Sequence, residues 1–106
     1  MTRVGRLRDH VPTSGEDFHT LARVAGTRIE HIVSSDSPDD AVQLQAWDEW
    51  VLLLAGAARL EVDGQPLAMS ARDWLVIPAG TPHRVLGTEP GTEWLAVHGA
   101  SAGTES

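Results

Sequence analysis

The chemistry open to this chain is that of imidazole and carboxylate. Its 106 residues include five histidines and fifteen acids but no cysteine, so disulfides, zinc–thiolate sites and cysteine nucleophiles are excluded. What remains is acid–base work, in which a neighbouring carboxylate moves a histidine across neutral pH, or ligation of a divalent cation. The histidines are His10, His19, His31, His83 and His98. His10 and His19 read as exposed and His31 as structural. His83 closes the segment Pro78-Ala79-Gly80-Thr81-Pro82-His83, whose prolines fix φ and shape a rigid loop that delivers it to a strand. His98 joins a common interior only if its strand face turns inward, which sequence parity does not decide.

The elements that must position these residues are short. Met1 to Pro12 has no periodicity and reads as an arm, loose or pinned to a neighbour. Thr13-Ser14-Gly15-Glu16 is a capping-box pattern, and Phe18, Leu21 and Ala22 follow at helical spacing, so a short helix is expected over residues 15–24, ended near Gly26. Strands are expected over residues 27–33, 41–46, 49–55, 59–62, 65–69, 74–77, 83–86 and 94–98. Asp63-Gly64 is a two-residue hairpin signal, since both positions need positive φ. Many short strands with Gly, Pro and Asp turns define an all-β sandwich or barrel. The expected organisation is one domain: arm and short helix over 1–26, barrel over 27–98, and a small polar tail over 99–106.

Charge narrows the function classes. The net charge is -7 and all eight basic residues are arginine, an acidic balance with no clustered basic face for nucleic acid. No apolar run is long enough for a transmembrane helix, and no apolar segment follows the N-terminal arginines as a secretory signal would require. The expected location is cytoplasmic.

The two motif-bearing segments together resemble a small single-domain cupin, a jelly-roll β-barrel. The second cupin motif is a glycine, five residues, then Pro-x-Gly-x-x-His; Pro78, Gly80 and His83 match, with Arg72 in place of the leading glycine. The first motif ends in a glutamate, six residues and a glycine, matched by Glu49 and Gly56; its two histidines are replaced by Gln43 and Gln45. Gly87 stands where the family has an asparagine. The resemblance covers about Arg28 to His98.

In that family the four motif side chains line the barrel interior and hold a metal. Carried over by position they are Gln43, Gln45, Glu49 and His83, the ligand-binding set that the resemblance implies. A divalent metal (manganese, iron, nickel or zinc) would rest on His83 and Glu49 with Gln45 and water, although an amide oxygen is a weak, neutral ligand suited to hard cations if to any. Two other readings stay open: a metal-free acid–base or ligand-binding pair, and a satisfied structural pair. The expected function is binding of a small polar molecule in the barrel, with a degenerate structural or sensor module as the alternative. Whether it is an enzyme is left open. Trp47, nearest the two glutamines, could line the pocket mouth.

Three strands are apolar on both faces, around Trp50–Leu54, Trp74–Ile77 and Trp94–Val97. A barrel interior covers one face only. A second copy of the chain, in a two-fold dimer, is the expected cover for the other.

Overall fold

A computed structural model of the chain describes residues 2–100. Eight antiparallel strands follow in order: β1 Glu16–Val24, β2 Thr27–Ser34, β3 Glu49–Ala55, β4 Ala57–Val62, β5 Gln65–Ser70, β6 Trp74–Ile77, β7 His83–Thr88 and β8 Thr92–His98. They form a five-stranded sheet, β1-β2-β8-β3-β6, facing a three-stranded sheet, β5-β4-β7. This is the expected all-β jelly roll. Among the described residues no helix is long and apolar enough to cross a membrane.

Period-2 burial builds the core. Along β8, Thr92, Trp94, Ala96 and His98 are buried while the residues between them are half-exposed. Val51 and Leu53 of β3, Leu60 of β4, Met69 of β5 and Ile77 of β6 meet Trp94 and Ala96 between the sheets. Two-residue turns link two of the hairpins: Ala25-Gly26 joins β1 to β2 and Asp63-Gly64 joins β4 to β5, all four residues having positive φ, the signature of turns whose twist matches the strands. At Gly56 the chain passes from one sheet to the other. A Cβ there would lie 2.5 Å from Thr92 Oγ1 and 2.9 Å from Thr92 Cα, so only glycine fits.

The expected helix over residues 15–24 is instead strand β1, paired with β2 from Glu16↔Ser34 to Val24↔Thr27. A bulge at Leu21 explains the misreading. It shifts the register between Thr20 and Ala22, so apolar side chains fall at uneven intervals that imitate helical spacing, although each stretch alternates as a strand does. The capping-box pattern serves another end: the Gly15 N–H donates to Ser37 O at 2.7 Å, pinning the chain at the start of β1.

The expected strand over residues 41–46 reduces to one bridge, Gln43↔His83, with both hydrogen bonds made, 2.7 and 3.0 Å. The segment lies beside β7 with no strand on its other side among the described residues, and Val42 and Leu44 are exposed. His19 is half-buried rather than exposed, opposite His31 in the β1–β2 ladder. His31 is structural as expected: it is 1 % exposed and its Nε2 lies 2.7 Å from Glu93 Oε2. The tail over 99–106 lies outside the described residues from 101 onward.

Candidate functional site

The site is built on one row across the larger sheet. Arg28 of β2 pairs with His98 of β8, which pairs on its other side with Glu49 of β3. All three point into the barrel and line a cavity of about 700 Å³. The opposite wall comes from β7 and from the connection over residues 35–48. His83 enters from β7, while Gln43, Gln45 and Trp47 enter from the connection. The four residues that the resemblance implied, Gln43, Gln45, Glu49 and His83, therefore meet in one cavity.

The loop that delivers His83 is held at several points. Asp48 Oδ1 accepts the Ala79 N–H at 2.8 Å. Gly80, with φ of 76°, donates its N–H to Gln45 O at 2.8 Å. One segment thus fixes both Gln45 and the approach to His83.

Hydrogen bonds assign the proton positions. His83 Nδ1 lies 3.0 Å from Thr81 O. A carbonyl only accepts, so Nδ1 carries a proton, and in the neutral ring Nε2 presents a lone pair to the cavity. That Nε2 faces Glu49 Oε1 at 3.9 Å, beyond hydrogen-bond range. Glu49 Oε1 accepts the Gln45 amide N–H at 2.9 Å. At His98 the Trp47 indole N–H, which can only donate, approaches Nδ1 at 3.0 Å. His98 must then carry its proton on Nε2, which donates to Glu30 Oε1 at 3.0 Å. Glu30 Oε2 accepts Arg28 Nη1 at 2.7 Å. Burial pushes the Glu30 carboxyl up, but the His98 hydrogen bond and the Arg28 charge outweigh it and hold it below the ordinary value.

Sequence reasoning missed Glu30 and Arg28 and left His98 undecided. The available signal was alternation: Arg28, Glu30, Ile32 and Ser34 share one face of β2, and all line the cavity.

A metal centre needs converging lone pairs. Here the His98 Nδ1 lone pair is taken by Trp47, and Gln45 turns an N–H, not an oxygen, toward Glu49. Turning that amide over would set two oxygens face to face at 2.9 Å. One imidazole nitrogen and one carboxylate remain. Among the described residues no group of three or more histidine or acidic side chains is placed to share a metal ion. The donor set does not fit a resident transition metal.

Two facing antiparallel sheets with a cavity between them that polar and apolar side chains line define a jelly-roll barrel. Residues 29–98 match the cupin domain family, and the chain belongs to it. Among solved structures it is similar to a candidate mannose-6-phosphate isomerase of Ralstonia eutropha, with 36% identity, 94% of this chain and 100% of that chain covered, and a TM-score of 0.79. It is also similar to a cupin superfamily protein of Desulfitobacterium hafniense, with 18% identity, 87% and 84% of the two chains covered, and a TM-score of 0.77. KdgF from a Halomonas species has 18% identity, 79% of each chain covered and a TM-score of 0.73. The last two likenesses show the fold alone. Comparison with curated protein sequences returned no match.

Proposed function

We propose that the chain is a binding cupin that holds a small polar molecule in its barrel by direct hydrogen bonds, without a resident metal. One observation carries this reading: two N–H groups, from Gln45 and Trp47, point at Glu49 Oε1 and His98 Nδ1, where a metal-dependent site would leave lone pairs free. The cavity supports it further, because a volume of about 700 Å³ is ample for a small molecule. The test is elemental analysis of the purified, untagged protein beside Gln43→His/Gln45→His. The expected result is no stoichiometric metal in the natural chain and a gain in the double variant. Stoichiometric metal in the natural chain that is lost in His83→Ala would defeat the reading.

The similarity to the Ralstonia protein favours a second reading, isomerisation of a phosphorylated sugar with Glu49 and His83 as the acid–base pair. A phosphate brings nearly two negative charges. The two arginines lining the cavity are already tied, Arg28 to Glu30 and Arg84 to Glu61. A direct assay with mannose 6-phosphate decides between the two, and turnover lost in Glu49→Gln would establish the second.

A further inference from the structure

We propose that the molecule held in the barrel is a small organic cation with N–H donors, a primary amine on a short apolar body, seated between Glu49 and His83. The proposal rests on the metal-free binding reading above.

Charge is the first ground. The cavity is lined by the carboxylates of Glu16, Glu30, Asp39 and Glu49 and by the guanidinium groups of Arg28 and Arg84. Arg28 is paired with Glu30 at 2.7 Å, and Arg84 with Glu61 at 3.1 Å. Among the described residues, Glu16, Asp39 and Glu49 face the cavity with no arginine in salt-bridge contact.

Glu49 is the most demanding of the three. It is only 9% exposed, and a buried carboxylate is costly unless a charge partner or several donors satisfy it. Its hydrogen-bond donor is the neutral Gln45 amide. His98 is 3.9 Å away but carries its proton on the far nitrogen. The neutral His83 ring presents a lone pair, also at 3.9 Å. Two acceptors facing each other across that gap call for a donor between them. An amine nitrogen placed about 2.8 Å from each spans it. An ammonium has three donors and serves both acceptors with one to spare, whereas a hydroxyl has one and serves only one.

Glu16 is the second, separate ground. Its Oε2 is buried and makes no hydrogen bond of ordinary length in the same cavity. Burial, with the charge of Asp39 added, raises its carboxyl above the ordinary value despite the Asp39 backbone N–H and the Ser34 hydroxyl that stabilise it. Between these polar ends Ile32, Val51, Leu60, Ile77 and Trp94 supply apolar wall, which suits a hydrocarbon body.

Calorimetric titration with three matched probes tests the proposal: cyclohexylmethylamine, cyclohexylmethanol and cyclohexanecarboxylate. The amine is expected to bind at least about tenfold more tightly than the alcohol, and the carboxylate more weakly than either. Added salt should weaken the amine and spare the alcohol. Glu49→Gln should erase the preference for the amine, and the comparison on the natural chain stands even if that variant does not fold. The proposal is overturned if the alcohol or carboxylate binds as tightly as the amine, or if the amine does not bind at all. Metal content measured on the same preparation separates the two failures: stoichiometric metal defeats the metal-free reading, while metal-free protein that ignores the amine defeats only the ligand assignment.

Discussion

The Trp47 indole donates its N–H to His98 Nδ1 at 3.0 Å and thereby sets which nitrogen of His98 bears the proton. The far nitrogen, Nε2, is left to donate to Glu30. A chain of directed bonds runs from Trp47 on the connection through His98 and Glu30 to Arg28 on the larger sheet.

Nitrogen NMR of labelled protein reads this directly. In the neutral rings His98 is expected as the Nε2–H tautomer and His83 as the Nδ1–H tautomer. Trp47→Phe should strip His98 Nδ1 of its donor and shift that nitrogen's resonance, while Glu30 keeps the proton on Nε2 and His83 is unchanged. With Nδ1 freed 3.9 Å from Glu49 Oε1, the same variant should gain affinity for zinc or nickel, measured by titration. An unaltered Nδ1 resonance of His98 in Trp47→Phe would mean that the indole N–H does not bond to it.

Arg72 occupies a left-handed conformation, φ of 82°, at the position where the cupin motif carries glycine. For a non-glycine residue this costs about 1–2 kcal/mol. Arg72→Gly is therefore expected to stabilise the fold, less the entropy that glycine loses on folding. Thermal unfolding should show a rise of a few degrees, about 4–8 °C per kcal/mol for a domain of this size class. A lower Tm would mean that the Arg72 side chain makes contacts worth more than its strain.

Gly56 predicts the opposite sign. Gly56→Ala forces a Cβ to within 2.5 Å of Thr92 Oγ1 at a φ of 87°. The conformational and overpacking costs together come to about 2–5 kcal/mol. Urea unfolding should place the midpoint far below that of the natural chain.

Glu30 and Glu16 pull acid stability in opposite directions. Glu30 titrates below the ordinary 4.5, because His98 and Arg28 outweigh the effect of burial. Its contribution is complete above 4.5 and is lost as pH falls through the lowered folded value. Glu16, raised above 4.5 by burial with the charge of Asp39 added, costs stability at neutral pH, and that cost disappears as pH falls through its raised value. Melting curves at neutral pH should show Glu30→Gln less stable and Glu16→Gln more stable than the natural chain. On acidification below 4.5, Glu30→Gln should lose less than the natural chain does.

The outer face of β3, β6 and β8 predicts self-association. Trp74 and Val76 are 61% and 51% exposed on β6, an edge strand of the larger sheet. Trp50 packs against Trp74 in a tilted arrangement with centroids 6.4 Å apart, extending the patch onto β3. An apolar edge of this kind invites pairing unless it is covered. Sedimentation is expected to find twice the mass of one chain, with Trp74→Glu returning it to one.

Much of this architecture was legible from alternation and turns. The strands from Glu49 to His98 follow apolar patterning and the Asp63-Gly64 turn, because both are local. The N-terminal strand was not legible, since the bulge at Leu21 breaks the period. Nor was the loss of pairing around Gln43, which depends on there being no strand beyond it. At the site, Glu49 and His83 were carried over from the family motifs. Glu30, Arg28 and the inward face of His98 became apparent only through cross-strand register, which no local pattern encodes.

The position of β8 bears on how the protein is made. It is eighth along the chain yet lies between β2 and β3. Until it has left the ribosome, the β1–β2 hairpin and the β3–β6 pair have no shared ladder and the larger sheet is two fragments. Its partners are distant in sequence, and such pairings form slowly. His98, which fixes one wall of the cavity, arrives on this strand. Sheet closure and completion of the cavity are therefore one event in synthesis, and a nascent chain whose cavity is complete has already closed its barrel.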